Sequence, residues 1–379
     1  MKITDVKSYV YGNPWKNWIF FKIETDEGLY GIGEATGGLS TKHIVGGLEE
    51  QKRIVIGMNP LDLNGVMEAL KFRLFLQEGG NIISGINIAL WDLLGRAYGK
   101  PLYALLGGKC RPSIRAYANG WYQGPRDPVF FGERAAQVKE MGYTALKFDP
   151  FGSAYKYMDA ADERLSIEIV RAVRQAVGED VDICIEAHDR FSVSQAVRLG
   201  YMLEEFRPMW YETPVFSTDI EATVEVARRV PVTVASGERS HSPSEIAALA
   251  QSRAVDILQP ETLGIGGVSA MIAACNIAAA YGASVAPHNA QSPFTTAVNA
   301  HLDVAISNII IQECFDDFHV DWKDDVISGY PRVENGYITP SEKPGIGVEI
   351  NESAVDMYPY GSDNFLRLFE SGWEKRRMS

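Results

Sequence analysis

The chain of 379 residues has little cysteine and little histidine, with four and six residues respectively. Its cysteines, Cys110, Cys184, Cys275 and Cys314, are far apart and form neither a CxxC pair nor a cysteine/histidine spacing typical of zinc sites. A chain of this length does not need disulfide bonds to stabilise its fold. We therefore expect each cysteine to be a small buried side chain in a reducing compartment, which excludes a disulfide-rich extracellular module.

Long apolar runs are also absent. The sequence has no run near the roughly 18 residues that a membrane-spanning helix requires. Its first residues, MKITDVKSYVYG, lack the apolar stretch of a signal peptide. These two absences predict a cytoplasmic protein that does not interact with membranes.

The chain has fewer positively charged than negatively charged residues. Lys and Arg number 36 against 49 Asp and Glu, so the formal net charge is −13. A chain with this balance is repelled by nucleic acids and by anionic lipids, so we expect neither as a partner. The hydrophobic fraction of 46% and the charged fraction of 22% are ordinary for a globular protein and exclude a disordered or fibrous chain.

The first third of the chain combines a strand pattern with a helical one. Residues 19–34 alternate around an Asp26-Glu27-Gly28 turn, which predicts an antiparallel hairpin. The helical pattern of residues 40–106 is clearest from Ile82 to Tyr98, where a Gly-Lys-Pro sequence predicts the helix end. The sequence therefore predicts an α+β domain over residues 1–112.

From about residue 113, short β-rich segments alternate with helical ones. The eight candidate strands are Ile114–Asn119, Ala145–Asp149, Asp182–Ala187, Met209–Glu212, Val232–Ser236, Val255–Gln259, Ser284–Ala286 and Ile309–Gln312. Eight such units predict a (β/α)8 barrel over residues 113–320. The competing layout, a doubly wound open sheet, usually carries a glycine-rich nucleotide loop after its first strand, and none is present. Residues 321–379 hold no complete further unit, so we expect this segment to pack back on the first domain.

Ionisable side chains recur where the candidate strands end. They are Lys147, Asp149, Glu186, His188, Glu212, Glu238, Glu261, His288 and Glu313. One residue per unit recurs at positions 23 to 27 residues apart, which is about the length of one β/α unit, in the series Glu186, Glu212, Glu238, Glu261, His288 and Glu313. The same corner of each unit therefore presents an ionisable group to the C-terminal mouth of the barrel, where barrel enzymes place catalytic groups.

Three consecutive members of this set, Glu186, Glu212 and Glu238, suit a hard divalent cation. Ligation by oxygen alone, without cysteine or an HxH pair, favours Mg²⁺ over Zn²⁺ and disfavours a zinc hydrolase. Converging carboxylates without a cation would repel each other strongly. The alternative is that each glutamate pairs with a Lys or Arg on the rim of the barrel. This explains a single glutamate better than three that recur at the same position of successive β/α units.

Two histidines fall near these glutamates. His288 and Glu261 follow adjacent strands, and a carboxylate bonded to one imidazole nitrogen makes the other nitrogen a better base. His188 lies two residues beyond Glu186, and in an extended chain both side chains would face the same side. His241 is left undecided. Three other histidines are interpreted as structural, namely His43, His301 and His319.

Four features together resemble the mandelate racemase branch of the enolase superfamily. They are ALWDLLGRAYGKPLYALLGG at 89–108, the glutamate triplet, PETLGIGG at 260–267 and APHN at 286–289. The resemblance covers essentially the whole chain and implies an α/β fold with a modified TIM barrel of the (β/α)7β type. The N-terminal α+β domain would cap the barrel and be completed by the C-terminal segment. A homo-oligomer such as an octamer is also implied.

The resemblance implies a role for most of the ionisable residues. One Mg²⁺ per subunit would bind the three glutamates and the carboxylate of the substrate. His288, paired with Glu261 where the family usually has Asp, matches the base that removes the α-proton to give an enediolate. Glu313 matches the acid that hydrogen-bonds this enediolate, and Lys147 would bind the substrate carboxylate.

The second barrel strand departs from the racemase pattern. Racemases of this family have two lysines at i and i+2, whereas this chain has Lys147-Phe148-Asp149 and so lacks one base. His188, within EAHDRF at 186–191, resembles the histidine with which galactonate dehydratases protonate a departing β-hydroxyl group. The chain thus looks like a hydro-lyase that converts a galactonate- or gluconate-type aldonate into a 2-keto-3-deoxy sugar acid.

Further candidates for substrate contacts lie in the barrel and in a capping loop. They are Lys147, Asp149, Arg190, Asn289, Gln291, Trp15, Lys16 and Trp18. The two tryptophans could stack on a sugar face or pack against the barrel rim, and the sequence leaves both open. Two other functions stay open as well. A cycloisomerase, epimerase or racemase of a related carboxylate would share the metal and His288, and a non-catalytic carbohydrate-binding barrel would lack a base or a ligand.

Overall fold

The computed structural model describes residues 1–74 and 80–373. The N-terminal part begins with a three-stranded antiparallel sheet of β1 (Ile3–Tyr11), β2 (Trp18–Thr25) and β3 (Tyr30–Glu34). Four helices follow, namely α1 (Thr41–Val55), α2 (Leu63–Leu74), α3 (Asn81–Tyr98) and α4 (Leu102–Leu105). The predicted hairpin and the end of α3 are confirmed, with Gly99 in the left-handed conformation at φ 63°. Residues 75–79, within the predicted helical stretch, lie outside the described residues.

Strand β3 and helix α3 approach each other closely because glycines face the helix. A Cβ atom on Gly31 would lie 2.0 Å from the carbonyl oxygen of Ala89, and one on Gly33 would lie 2.0 Å from that of Gly85. Any larger side chain would push the helix off the sheet. This contact fixes the end of β3, where Glu34 accepts hydrogen bonds from Oγ of Ser292 at 2.5 Å and Oγ1 of Thr295 at 2.7 Å. The sheet is thereby held against the barrel.

The central part of the chain forms a closed parallel barrel. Its strands, all within the described residues, are β4 (Ile114–Ala118), β5 (Ala145–Phe148), β6 (Asp182–Glu186), β7 (Trp210–Glu212), β8 (Val234–Ser236), β9 (Ile257–Leu258), β10 (Ser284–Val285) and β11 (Gln312–Cys314). The helices between them are α5 (Pro128–Glu140), α6 (Ala160–Val177), α7 (Val193–Leu203), α8 (Ile220–Arg229), α9 (Pro243–Ser252), α10 (Thr262–Ile265), α11 (Gly267–Ala280) and α12 (Pro293–Ala305). Strand β11 pairs with β4, and a parallel bridge between Val285 and Ile309 completes the circle.

The eighth strand differs from the prediction in its position. It begins at Gln312 rather than Ile309, because Ile309 bridges to β10 while Gln312–Cys314 pairs with β4. Glu313 therefore lies inside the strand rather than at its end. A short 3₁₀ turn at Asp316–Phe318 follows β11 where each earlier strand has a helix before the next, so the (β/α)7β arrangement is confirmed. The expectation of four buried cysteines is wrong for Cys110, which is exposed.

The C-terminal segment contacts both other parts of the chain. Its elements are α13 (Lys323–Val326), β12 (Ile327–Ser328), β13 (Val333–Glu334), β14 (Tyr337–Ile338) and β15 (Glu349–Ile350). Strand β14 pairs with barrel strand β4, and β12 pairs with β15. Beyond β15, the carbonyl of Asn351 accepts a hydrogen bond from Tyr11, and that of Tyr358 accepts one from the backbone of Gly12. The domain boundaries stay a prediction, and residues 374–379 lie outside the described residues.

Asp92 of helix α3 joins the N-terminal sheet to the C-terminal segment. Its fully buried carboxylate accepts hydrogen bonds from the backbone of Ile32 at 2.9 Å and of Ile346 at 2.8 Å, and pairs with Arg96 at 2.8 Å. Asp92→Ala would leave these donors without a partner, so we expect urea denaturation to show a loss of about 3–5 kcal/mol. The control Glu349→Ala removes an exposed partner of Arg96 and should cost less than about 1 kcal/mol. Equal effects would contradict this account.

None of the helices that the structure describes is both long and apolar enough to cross a membrane.

Candidate active site

The barrel interior is filled by buried apolar side chains below its C-terminal mouth. These are Tyr117, Ala145, Cys184, Trp210, Ala235, Ile257, Ala286 and Ile311. Alternate residues of a strand face the same side. The positions two residues further along therefore form the next layer towards the mouth. They are Asn119, Lys147, Glu186, Glu212, Gly237, Gln259, His288 and Glu313.

The three predicted metal ligands come together at this mouth. Glu186 and Glu212 end neighbouring strands and are direct register partners, and Glu238 follows β8 after Gly237. One carboxylate oxygen of each glutamate lies within 4.8 Å of the others. Three oxygen donors at this spacing fit a divalent cation with oxygen ligands.

Neighbouring side chains orient two of these carboxylates. Oγ1 of Thr213 donates to Oε1 of Glu186 at 2.8 Å, and the indole nitrogen of Trp210 donates to Oε2 of Glu212 at 2.7 Å. The second oxygen of each group, Oε2 of Glu186 and Oε1 of Glu212, lies 3.3 Å and 2.6 Å from Nζ of Lys147. Such outer hydrogen bonds are typical of carboxylates that ligate a metal.

The ammonium group of Lys147 lies among the carboxylates. Its Nζ is 2.6 Å from Glu212, 2.8 Å from Glu313 and 3.3 Å from Glu186, and its side chain is 1% exposed. Burial alone would lower the pKa of Lys147, but the charges of Glu212 and Glu313 outweigh it and raise the pKa well above the ordinary value. Lys147 is therefore charged.

One lysine does not balance the negative charge of the mouth. Burial, together with the charge of Glu186, raises the pKa of Glu212 to about 7, although Lys147 opposes the shift. A carboxyl group with this pKa resists ionisation until more positive charge arrives. The residues present therefore fit a bound divalent cation, which would supply that charge.

His288 and Glu261 form the predicted pair. Nδ1 of His288 lies 2.8 Å from Oε2 of Glu261, whose other oxygen accepts a hydrogen bond from the amide of Gln291. Burial alone would raise the pKa of Glu261, but the hydrogen bond with His288 outweighs it and the pKa is lowered. An ionised carboxylate only accepts hydrogen bonds, so Nδ1 carries the hydrogen and Nε2 is the basic nitrogen. Nε2 lies 3.2 Å from Oε2 of Glu238, which places the base beside the triplet.

The charge around His288 sets its protonation. Burial alone would lower the pKa of His288, but the charges of Glu238 and Glu313 and the contact with Glu261 raise it to about 10. A cation bound to Glu238 would cancel part of this attraction. The pKa would then fall towards the range in which the imidazole can accept a proton.

Glu313 is fixed at both oxygens. Oε1 accepts a hydrogen bond from the amide of Asn119 at 2.7 Å and Oε2 accepts one from the backbone of Asn289 at 2.7 Å. Burial would raise the pKa of Glu313, but Lys147 and His288 outweigh it and lower the pKa to about 2. The group is therefore ionised and acts as an acceptor that holds Lys147.

His188 belongs to a second histidine–carboxylate pair, which the sequence analysis did not anticipate. Nδ1 of His188 lies 2.6 Å from Oδ2 of Asp149. Burial alone would raise the pKa of Asp149, but Arg190 and His188 outweigh it and lower the pKa. Asp149 is thus ionised, so that Nδ1 of His188 carries the hydrogen and Nε2 is left for proton transfer.

Asp149 and Arg190, which are predicted to contact the substrate, pair with each other in this structure. Both side chains are fully buried. The guanidinium group of Arg190 donates to Oδ2 of Asp149 and to the carbonyls of Ala187 at 2.7 Å and Gly152 at 2.6 Å. The two charges neutralise each other behind His188, and contact of either group with the substrate stays a prediction.

The backbone at His188 is not extended, contrary to the prediction. His188 and Asp189 have φ angles of 50° and 59°, in the left-handed region that non-glycine residues rarely adopt. The turn brings the backbone N–H of His188 within 2.6 Å of Oε1 of Glu186, to which it donates. Strain of this kind often occurs at functional sites. His188 thus lies beside Glu186, but a turn rather than strand alternation places it there.

The capping loop contributes Lys16 to the mouth. Burial lowers the pKa of Lys16, while the negative charges of Glu261, Glu34 and Glu313 act in the opposite direction. These influences place its ammonium group near the carboxylates of the site. Contact of Lys16 with a substrate stays a prediction.

The two tryptophans of this loop have different environments. Trp18 is fully buried and packs edge-on against Trp322 and His319, each at 5.4 Å between ring centroids, so it cannot stack on a sugar. Trp15 is half-buried, and its ring lies 4.7 Å from that of Phe315. Trp18 therefore packs inside the protein rather than against a sugar, whereas Trp15 stays a candidate for substrate contact.

Two buried amides complete the wall of the site. Nδ2 of Asn289 donates to Oγ1 of Thr296 at 2.8 Å and to the carbonyl of Glu313 at 3.3 Å, so this side chain supports Glu313. Gln259 was not singled out from the sequence, yet both its amide atoms are buried and have no partner among the described residues. The sequence signal that could have identified it is strand alternation, because Gln259 lies two residues beyond the inward-facing Ile257.

The remaining histidines lie outside the glutamate cluster. His301 is buried, its Nε2 lies 3.0 Å from the carbonyl of Ile346, and burial lowers its pKa to about 4. Nε2 of His319 lies 2.7 Å from the carbonyl of Gln291. His43 and His241 are exposed. The structure therefore shows hydrogen bonds between His301 and His319 and backbone carbonyls. None of the four histidines lies among the predicted metal ligands.

Similar proteins are known by sequence and by structure. The chain is 36% identical over 349 residues to the D-gluconate dehydratase of Thermoproteus tenax, with 91% of this chain and 70% of that protein covered. It is 33% identical over 366 residues to the D-gluconate/D-galactonate dehydratase of Picrophilus torridus, with 95% and 93% covered. The solved mandelate racemase/muconate lactonizing enzyme-like protein from Roseovarius sp. TM1035 is 35% identical, with a TM-score of 0.85 and coverage of 95% and 96%.

Two family descriptions match the chain. Residues 14–107 match the mandelate racemase/muconate lactonizing enzyme N-terminal domain. Residues 131–354, more than half of the chain, match the enolase C-terminal domain-like family. The chain therefore belongs to the mandelate racemase/muconate lactonizing enzyme family of the enolase superfamily.

Proposed function

We propose that this protein is an acid-sugar dehydratase, a hydro-lyase that acts on a galactonate- or gluconate-type aldonate. One observation carries the proposal. Two histidines, each bonded at Nδ1 to a carboxylate, lie beside different members of the glutamate triplet, His188 beside Glu186 and His288 beside Glu238. Elimination of water needs a base at C2 and an acid at the leaving hydroxyl of C3. The names of the relatives support the same reaction.

The glutamate triplet would hold one Mg²⁺ per subunit. The identity of the ion is inferred from donor chemistry, since all the ligands are carboxylate oxygens. When bound, the cation supplies the positive charge that holds the substrate carboxylate and offsets the negative charge developing after C2 loses its proton.

Residues of the chain perform the other steps. Lys147 donates hydrogen bonds to the substrate carboxylate, and Nε2 of His288 takes the C2 proton while Glu261 stabilises the resulting imidazolium. A hydrogen bond from Glu313 to the enediolate would require a protonated carboxyl group, whereas Glu313 is ionised in the described geometry. We therefore infer that Lys147 is the donor and that Glu313 positions it.

The second half of the reaction depends on His188. The C3–O bond breaks, Nε2 of His188 gives its proton to the departing hydroxyl, and water leaves. The enol that remains gains a proton at C3 and loses the proton of its C2 hydroxyl group, which gives a 2-keto-3-deoxy sugar acid, so the net change is the loss of one water. Lys16 and Trp15, at the capping loop, would contact the distal end of the sugar chain.

His188→Asn should separate the two halves. We expect dehydration to fall by about 10²–10⁴-fold because the leaving hydroxyl loses its acid. Exchange of the C2 proton with deuterium oxide should persist, because His288 and the triplet are unchanged. Proton NMR measures both rates in one sample. Loss of C2 exchange in the variant would contradict the separate roles.

The substrate class can be tested with a panel of aldonates and aldarates. Purified protein with Mg²⁺ would be incubated with D-gluconate, D-galactonate, D-xylonate and their epimers, and semicarbazide would detect the 2-keto acid. Formation of keto acid from an aldonate supports the proposal. C2 exchange without keto acid would favour an epimerase or cycloisomerase instead. The cytoplasmic location and the homo-oligomer, expected to be an octamer, stay predictions.

A further inference from the structure

The last part of the described chain contacts the capping loop and the residues around His188. We call residues 363–373 the C-terminal strap. Phe365 of the strap forms a backbone bridge with Lys16 of the capping loop. The ring of Phe369 lies 4.8 Å from the guanidinium carbon of Arg190. The strap therefore runs from the capping loop to the elements that support His188.

Trp373, within the strap, contacts His188 directly. The centroids of the two rings lie 5.8 Å apart with an interplanar angle of 86°. The indole is 5% exposed and packs with the buried apolar side chains of the barrel, including Tyr122 at 6.4 Å. Its Nε1–H donates to the carbonyl of Gly152 at 2.9 Å, which fixes the orientation of the indole.

The carbonyl of Gly152 also connects Trp373 to Arg190 and Asp149, the residues that hold His188. It also accepts a hydrogen bond from Arg190 at 2.6 Å, Arg190 donates to Asp149, and Asp149 accepts from His188. The five groups therefore form a closed ring of contacts that begins and ends at His188. Trp373 is the member that comes from outside the barrel.

We propose that Trp373 is a positioning residue for His188, and that the proton donor of the dehydration step is held in place only when the C-terminal strap is docked. The proposal rests on the function proposed above. The χ2 torsion of histidine has a broad intrinsic energy profile, so the hydrogen bond at Nδ1 and the packing of a neighbouring ring together define the orientation of the imidazole. The ring of Trp373 restricts this torsion. Trp373 contacts His188 itself, so its effect on the reaction passes through this residue.

The proposal predicts a selective defect in Trp373→Leu. This variant loses both the ring contact and the hydrogen bond to Gly152. Misplacement of a catalytic group by about 1 Å costs about 10²-fold, so we expect dehydration to fall about 10²-fold. Exchange of the C2 proton depends on His288, which the substitution does not move. Its rate should therefore stay within about twofold of the wild-type rate. The ratio of exchange to dehydration would then rise about 10²-fold.

Two further variants make the result interpretable. Trp373→Phe keeps an aromatic ring against His188 and should recover most of the dehydration rate even if the stability of the leucine variant is low. Trp322→Leu is the matched control, because Trp322 also belongs to the C-terminal segment but stacks on Tyr358, at 4.1 Å, instead of on His188. This control should leave the ratio unchanged.

The outcomes separate this inference from the proposed function. Wild-type protein that does not dehydrate any aldonate would refute the proposed function itself. Two results with active wild-type protein would show that Trp373 has no positioning role. In the first, Trp373→Leu leaves the ratio of exchange to dehydration unchanged. In the second, Trp373→Leu and Trp373→Phe both lose exchange and dehydration equally. A raised ratio in Trp373→Leu, with recovery in Trp373→Phe, supports it.

Discussion

Replacing His288 with asparagine is expected to abolish both C2 proton exchange and dehydration. Nε2 of His288 is the basic nitrogen beside the glutamate triplet, and Glu261 fixes its Nδ1. Asparagine has similar size near the backbone but cannot accept the proton. Loss of a general base typically costs 10²–10⁴-fold, so both rates should fall by about this factor. Because proton removal comes first, the two activities must fall together.

The measurement is proton NMR of a sugar acid in deuterium oxide with the wild-type and variant proteins. His43→Asn serves as the control, because His43 is exposed on helix α1 and has no role in the proposed site. It should leave both rates unchanged. His288→Asn that still exchanges the C2 proton at the wild-type rate would show that another group is the base.

Removal of divalent cations should have an equally large effect on activity and a measurable effect on stability. Three carboxylates whose oxygens lie within 4.8 Å of one another lose their counter-charge when a chelator removes the ion. We expect activity below detection in chelator and full recovery with Mg²⁺. Because the ion binds only the folded chain, Mg²⁺ at 100 times its dissociation constant should add about 2.7 kcal/mol to the free energy of unfolding.

A pair of variants tests where the ion binds. Glu238→Gln removes one predicted ligand charge and should reduce the stabilisation by Mg²⁺ severalfold. Glu245→Gln is the matched control, because Glu245 is an exposed residue of helix α9 that bonds the backbone of His241 and lies outside the triplet. Thermal unfolding with and without Mg²⁺ measures both. Full activity in chelator, or equal Mg²⁺ effects in both variants, would contradict the assignment.

The sequence predicts the barrel and the triplet well because both depend on local periodicity. Each β/α unit has nearly the same length, so the residue after each strand returns to the same edge of the barrel. Glu186, Glu212 and Glu238 could be placed together on this basis. The pair of His288 and Glu261 follows from the same argument, since it needs only that adjacent strands end side by side.

The rest of the site depends on features that local patterns do not contain. The left-handed turn at His188 breaks the alternation on which the prediction relied. Asp149 and Arg190 have suitable chemistry for substrate contacts, but only the packed structure shows that they neutralise each other in the interior. Trp373 contacts His188 across a separation of more than 180 residues, and no sequence period links two such positions.

The central claim is that this site removes the C2 proton of a sugar acid and expels the C3 hydroxyl. The most direct test is proton NMR of the wild-type protein, Mg²⁺ and an aldonate substrate in deuterium oxide. The account predicts a 2-keto-3-deoxy acid that has lost its C2 hydrogen and carries one solvent deuterium at C3. A product that keeps the C3 hydroxyl group and gains deuterium at C2 would contradict it and identify an epimerase.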